Sequence, residues 1–146
     1  EVNMKKLTIV DYLNAMLDSE HSIVFTGFRN GSGVVTQTKE FAEQLNFELH
    51  EINCTNVDQQ QFRTALSDVI SAASNDKANH LLLLTGVDAT NFFVKREVQA
   101  VTCYRTDANQ LRNPENLQII CFSNQLEDFD QASLQRWTNI CQLRDD

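Results

Sequence analysis

The sequence has little of what interrupts, cross-links or anchors a fold. One proline and four glycines in 146 residues predict few long loops. The four cysteines are widely spaced without a CxxC pair, which argues against a zinc site or a disulfide framework and favours reduced, structural thiols. No apolar run approaches the roughly twenty residues that a membrane-spanning helix needs, and no signal-peptide pattern is present. These absences predict a cytoplasmic protein with no metal site and no membrane insertion.

Basic residues are also scarce. Lysine and arginine number 12 against 20 acidic residues, which gives a net charge of −8. Direct binding to nucleic acid is therefore not favoured, because neutralising phosphates needs clustered lysine and arginine. A hydrophobic content of 42% with 22% charged residues is typical of a globular domain. We predict a single domain over residues 1–146, and its start at Glu1, ahead of Met4, leaves open that it belongs to a longer protein.

Apolar runs that predict strands alternate with segments of helical period. The runs at residues 22–26, 80–85 and 117–123 are almost wholly apolar, as strands of a parallel sheet covered on both faces require. Residues 47–53 alternate apolar and polar side chains, which indicates a strand near the sheet edge, and residues 139–143 predict a last strand. This order is typical of an α/β fold built on a parallel sheet. The predicted helices cover residues 7–17, 34–46, 57–74, 91–106 and 130–137.

The segment from Ser22 to Thr36 has the layout of a phosphate-binding loop. An apolar run ends in Gly27, a Gly/Asn/Ser turn follows, and a helical segment begins behind it. Such a loop places backbone N–H groups around phosphates at a helix N-terminus, and it also needs a lysine for the β- and γ-phosphates. The lysine position falls on Gly33, or on Val34 if the loop has one extra residue. Neither alignment supplies the positive charge.

The order of motifs resembles the large subdomain of AAA+ ATPases, and the resemblance covers most of the chain. It implies an α/β, P-loop NTPase-like fold of the AAA+ type, with a five-stranded parallel sheet and helices on both faces. The family's helical lid is expected to be absent from residues 1–146, which leaves open whether a lid follows in a longer protein. In chain order, the matching segments resemble the loop with its helix and second strand (His21 to Asn53), the Walker B strand (Leu81 to Ala89), the sensor-1 strand with its terminal asparagine (Leu117 to Asn124) and the segment that ends in the arginine finger (Phe129 to Trp137).

The departures from the family pattern concern its chemistry. Where the family's Walker B strand ends in an aspartate for magnesium and a glutamate for the attacking water, this sequence has Thr85 and Gly86. The missing lysine and the two missing acids are most of what positions and neutralises a phosphoryl group. Lys39 is expected on another face of the helix, and Asp88 is expected as a turn or capping residue rather than a metal ligand. We therefore predict that the chain has degenerate Walker motifs and no catalytic residues, and that it is not an enzyme.

Nucleotide binding without hydrolysis is a separate question. The glycines of the loop could form an anion-binding nest. Val34 and Val35, however, are expected to place branched apolar groups where phosphates and magnesium would sit. ATP or ADP binding is therefore possible but not favoured, and no cofactor is predicted. The residues that would form such a remnant site are Gly27, Arg29, Gly31, Ser32, Gly33 and Asn124.

Arg136 stands at the position of the family's arginine finger, which reaches the nucleotide bound by the neighbouring subunit. It could serve that role in trans, or be an exposed arginine beside the core residue Trp137. The resemblance and its departures predict an inactive AAA+-like domain that acts as a protein-interaction or assembly module, with other protein subunits, including active AAA+ ATPases, as partners. Two alternatives stay open. One is a nucleotide sensor that binds ATP or ADP without hydrolysis, and the other is an inactive subunit of a DNA clamp-loader or helicase-loader assembly.

Overall fold

The computed structural model describes residues 11, 22–29, 31–103, 114–129 and 139–143. Apart from Asp11, the predicted helices over residues 7–17 and 130–137 lie outside these ranges. Within them, strands and helices alternate as the sequence predicts. They are β1 (Ile23–Thr26), α1 (Val34–Gln44), β2 (Glu48–Asn53), α2 (Gln59–Ser74), β3 (His80–Thr85), α3 (Phe92–Cys103), β4 (Leu117–Phe122) and β5 (Asn139–Gln142).

The strands form one five-stranded sheet in the order β2-β3-β4-β1-β5. Every neighbouring pair is parallel, which confirms the predicted parallel sheet. All six residues of β3 and all six of β4 are buried, because both strands lie inside the sheet. β2 is an edge strand and, as its alternating pattern predicts, is buried along its length only at Ile52. None of the described helices is long and apolar enough to cross a membrane.

Helices cover both faces of the sheet, also as predicted. Successive side chains of a strand point to opposite faces. Leu82 and Leu84 of β3 accordingly pack in the cluster that contains Phe62 of α2 and residues of α3. Leu81 and Leu83 pack in a second cluster that contains residues of α1. The sheet is therefore the middle layer of three. The described helices cover its two faces and leave the amino and carboxyl ends of its strands uncovered.

The helix ends differ slightly from the predicted ones, for identifiable reasons. α2 begins at Gln59 because Asp58 and Gln61 form a capping box, in which each side chain accepts a hydrogen bond from the backbone N–H of the other, at 2.7 and 2.9 Å. α1 ends at Gln44 because Asn46 takes a left-handed conformation with a φ of 61°. Leu45 consequently lies beyond the helix and is exposed.

Candidate functional site

The carboxyl ends of β1, β3 and β4 lie at one edge of the sheet, because the strands run parallel. The loop that follows β1 starts at Gly27, whose φ of 77° lies in the left-handed region. A Cβ at this position would collide with the backbone carbonyl oxygen of Leu143. Glycine is required here by both conformation and space, and it fixes the direction in which the loop leaves β1.

Asn124, two residues beyond the end of β4, holds this loop in place. Its Oδ1 accepts hydrogen bonds from the backbone N–H groups of Gly27 at 2.6 Å and Phe28 at 3.2 Å. Its Nδ2 donates to the carbonyl oxygen of Phe28 at 2.6 Å. The structure thus brings together Asn124 and Gly27, two residues of the predicted remnant nucleotide site. The contact engages two backbone N–H groups of the loop.

Asp88 in turn positions Asn124. Its Oδ2 accepts a hydrogen bond from the backbone N–H of Asn124 at 2.8 Å, and its Oδ1 accepts one from the hydroxyl of Ser123 at 2.5 Å. The carboxylate therefore ties the segment after β3 to the segment after β4, which goes beyond the local turn or capping role predicted for it. The sequence alone did not indicate this pairing, because it depends on β3 and β4 being neighbours in the folded sheet.

The tip of the loop is open. Gly31 and Gly33 both have a φ of 81°, and a Cβ at either position would meet no atom within 4 Å. The N–H of Ser32 donates to the carbonyl oxygen of Arg29 at 3.1 Å and closes a turn between these two exposed residues. A side chain added at Gly31 or Gly33 would therefore meet no steric obstacle, in contrast to one at Gly27.

Val34 does not point into the loop. It is only 7% exposed and packs in the core under α1, on the same buried stripe as Thr38 and Ala42. Val35 is partly buried against the same cluster. The expectation that both valines stand where phosphates and magnesium would sit is therefore wrong. Their side chains belong to the core because the buried face of α1 begins at its first residue.

An ion pair connects α1 to the sheet. Lys39 Nζ lies 2.6 Å from Glu51 Oε1, and the hydroxyl of Thr85 donates to Glu51 Oε2 at 2.8 Å. The hydrogen bond from Lys39 is the main reason why the pKa of Glu51 lies below its usual value, and the bond from Thr85 adds to it. Both charged side chains are partly exposed, so the pair contributes about 1 kcal/mol or less to stability. The hydroxyl of Thr85, the residue that the resemblance predicts at the Walker B aspartate position, is thus bonded to a carboxylate of β2.

A second polar cluster lies at the amino ends of the strands, opposite the carboxyl ends that lead to Asp88 and Asn124. The sequence alone did not indicate it. His80 is buried at the start of β3, with its Nε2 2.7 Å from Asp76 Oδ1 and its Nδ1 2.9 Å from His50 Nε2. The two rings are inclined by 14° with centroids 5.2 Å apart, which is the geometry of nearly coplanar rings joined edge to edge by a hydrogen bond. With both rings neutral, His80 donates to Asp76 and accepts from His50.

This cluster shifts two pKa values. Burial, and then the proximity of His80, lower the pKa of His50, whereas the hydrogen bond from His80 is the main cause that lowers the pKa of Asp76. The signal in the sequence was the four-residue spacing of Asp76 and His80. His50 comes close through the pairing of β2 with β3, which places Glu48 opposite His80 and His50 two residues further along. The pairing, however, was visible only in the folded sheet.

The remaining predictions concern thiols, metals and Arg136. Cys54, Cys121 and Cys141 are buried free thiols, and burial raises the pKa of Cys54 and of Cys141 to about 12. The structural role predicted for the four cysteines stays a prediction, and the side chain of Cys103 lies outside those described. Across the described ranges, no three side chains of histidine, cysteine, aspartate or glutamate are grouped to hold a metal ion. Arg136 lies outside the described residues, so its role as a trans arginine finger stays a prediction.

Comparison with known proteins gives matches in structure only. No protein-family model matches the sequence, and no curated protein does. The chain matches two mutants of RuvB from Thermotoga maritima at 14% identity, with TM-scores of 0.56 and 0.55, over 92% of this chain and 44% and 42% of theirs. It matches the structure of Drosophila ORC bound to AT-rich DNA and Cdc6 at 11% identity, with a TM-score of 0.57, over 93% of this chain and 53% of that one. The chain thus spans about half the length of these proteins.

RuvB and ORC with Cdc6 are AAA+ ATPases. The domain accordingly has an α/β fold of the AAA+, P-loop NTPase-like type, as the sequence predicts. At 11–14% identity the likeness concerns the fold alone.

One prediction is wrong. The sequence predicts that the chain is not an enzyme, but the solved structures that share its fold are those of AAA+ ATPases. The absence of an enzymatic activity therefore does not follow from Thr85 and Gly86 at the end of β3 together with the missing loop lysine.

Proposed function

We propose that this domain is an assembly module, which contributes an AAA+-type fold to a larger complex and acts through contacts with other proteins. The observation that carries the proposal is a pair of large apolar side chains left outside an otherwise well-buried core. Phe92 and Phe93, adjacent at the start of α3, are 63% and 62% exposed. Aromatic residues are enriched at protein interfaces. The proposal does not depend on ATP hydrolysis.

The structures of similar fold also support a role in an assembly. The ORC structure contains ORC together with Cdc6 and AT-rich DNA, which is an assembly of several macromolecules. The match to the ORC structure takes in 93% of this chain but only 53% of the matched chain, so the shared fold is one part of that protein. Other AAA+ subunits, including active ATPases, are the partners that the proposal favours. Arg136 would then act across a subunit contact.

Nucleotide is not favoured as the ligand. The N–H groups of Gly27 and Phe28 already donate to Asn124, and Lys39 is paired with Glu51. A phosphate at the base of the loop would have to displace the amide of Asn124 and bind without a lysine.

A nucleotide sensor is the second candidate, because Gly31 and Gly33 leave the tip of the loop open. Calorimetric titration of MgATP and MgADP separates the two. No saturable heat up to millimolar nucleotide favours the assembly module, and micromolar binding favours the sensor.

The direct test is co-purification. The tagged chain, expressed in the cells that produce it, is purified after chemical cross-linking, and its partners are quantified by mass spectrometry. The proposal predicts other protein subunits in amounts close to one per chain, retained after EDTA removes magnesium. Recovery of the chain alone would contradict it. The clamp-loader or helicase-loader alternative instead predicts salt-sensitive binding of the domain or its complex to duplex DNA.

A further inference from the structure

The exposed phenylalanines Phe92 and Phe93 belong to a helix that is firmly packed in the core. α3 inserts Val94 and Val98, both fully buried, into the core that it shares with α2. Asn91 caps the helix, since its Oδ1 accepts a hydrogen bond from the N–H of Val94 at 3.0 Å. With Val94 and Val98 facing inward, Phe92 and Phe93 are held outside, with their rings edge to face and their centroids 5.7 Å apart. Two large aromatic side chains are thus presented to solvent by a capped and well-anchored helix.

Among the residues that the structure describes, one cation of α3 has no acidic partner. Lys95 is paired with Asp128 at 2.6 Å, and Glu97 is paired with Arg63. Arg96 instead places its guanidinium over the ring of Phe92, 5.6 Å from the ring centroid, and no carboxylate of the described residues pairs with it. The guanidinium of Arg96 is therefore a positive charge that no carboxylate of the described residues neutralises, beside two exposed rings. Charge complementarity therefore points to a partner that carries a carboxylate.

The size of the surface limits what it binds. If a phenylalanine side chain buries about 200 Å², the exposed parts of the two rings amount to roughly 250 Å². A standard protein interface buries about 800 Å² on each partner. This surface is therefore too small to hold a second copy of the chain by itself, and it is suited to anchoring a short segment whose large apolar side chain fits beside the rings.

We infer that Phe92, Phe93 and Arg96, which we name the α3 aromatic patch, bind an acidic peptide segment of another protein. A large apolar side chain of the peptide packs against the two rings, and a neighbouring aspartate or glutamate pairs with Arg96. The inference rests on the proposed assembly function and specifies a surface and a partner chemistry for it. Nucleic acid is not the expected ligand, because Arg96 is a single cation in a chain of net charge −8, whereas neutralising a run of phosphates needs clustered lysine and arginine.

The test uses a phage-displayed library of short random peptides, selected on the wild-type domain. Enriched peptides are synthesised, and their affinities are measured by fluorescence anisotropy on wild type and on variants. Phe92→Ser with Phe93→Ser removes the rings, and Arg96→Gln removes the charge. Leu45→Ser and Lys77→Gln are the matched controls, because each changes an exposed side chain of the same kind elsewhere on the surface. Circular dichroism checks that every variant is folded.

The expected result is enrichment of peptides that place a large apolar residue next to aspartate or glutamate. Their affinity should fall about tenfold or more in the double phenylalanine variant. It should fall several-fold in Arg96→Gln and with added salt, and stay unchanged in both controls. Three results would overturn the inference: no enrichment, enrichment of peptides without acidic residues, and binding that ignores the phenylalanine changes.

Two other ligands of the α3 aromatic patch would give different experimental results. Self-association in sedimentation that is lost in the double phenylalanine variant would assign the patch to a second copy of the chain. Binding of an oligothymidylate that is lost in the same variant would assign it to single-stranded nucleic acid. Either result overturns the peptide inference. If protein partners co-purify equally with wild type and with the double variant, the assembly function stands and only the patch is wrong.

Discussion

The side-chain amide of Asn124 spans the gap between the ends of β4 and β1, with its Oδ1 2.6 Å from the backbone nitrogen of Gly27. Its backbone nitrogen is in turn held by the carboxylate of Asp88 beyond β3. Asn124 thereby links the segments that follow β3, β4 and β1, which are neighbours in the sheet. The link connects Asn124 directly to Gly27, the first glycine of the loop after β1.

Replacing Asn124 should loosen this loop. Asn124→Ala removes three hydrogen bonds from an exposed site, and we expect the free energy of unfolding to fall by about 1–2 kcal/mol. Urea denaturation measures the change. Asn56→Ala, at another exposed asparagine, is the control and should shift the free energy by less than about 0.5 kcal/mol. Equal effects of the two substitutions would show that Asn124 does not hold the loop.

Asp88 and Asn124 should behave as one unit. Asp88→Ala removes the acceptor for Ser123 Oγ and for the N–H of Asn124, at a cost of about 1–2 kcal/mol. Because both residues belong to the same network, the double variant should be less destabilised than the sum of the single variants, by about 0.5 kcal/mol or more. A double-mutant cycle in urea gives this coupling energy. Strict additivity would separate the two residues.

The glycines of the loop should differ sharply in their tolerance of a side chain. Gly27→Ala requires both a left-handed alanine and a displacement of the backbone at Leu143, so we expect a loss of about 3 kcal/mol or more, or failure to fold. Gly31→Ala has the same conformational demand in open space and should cost about 1–2 kcal/mol. Thermal unfolding of the two variants compares them. A similar loss in both would contradict the close approach to Leu143.

Stability should fall as the pH falls. The pKa of His50 is lowered in the folded state from 6.5, so the unfolded chain binds more protons below that pH and acidification favours unfolding. The lowered pKa of Asp76 acts in the same direction, with its contribution lost as the pH falls below its ordinary 3.8. Denaturation at pH values from about 7.5 down to 5 should show a declining free energy of unfolding. His50→Gln should flatten the decline, and an unchanged slope in that variant would rule out His50 as its source.

Much of the fold could be predicted from the sequence, because its interior strands are unambiguous. The four consecutive leucines of β3 are explicable only by burial on both faces, and all four are less than 3% exposed. The helical spacing of Phe62, Val69 and Ala73 likewise identified the buried face of α2. Such patterns are local and reflect the period of the element, so they need no knowledge of its neighbours.

The site was less predictable because its contacts join residues that are far apart in sequence. Asp88 contacts Asn124, 36 positions away, and Gly27 contacts Asn124, 97 positions away. The misplacement of Val34 has a different cause. A motif-based alignment places this residue by its position in the loop, whereas the structure places it by the phase of α1, and the phase puts it in the core.

The most direct test of the central claim is the mass of the particle that contains this chain. The protein is isolated at its natural abundance, gently cross-linked, and weighed by native mass spectrometry with and without EDTA. The account predicts a particle in which the chain accompanies other protein subunits in fixed ratio, and whose mass does not change when magnesium and nucleotide are removed. A particle with the mass of the chain's own protein alone, under both conditions, would contradict it.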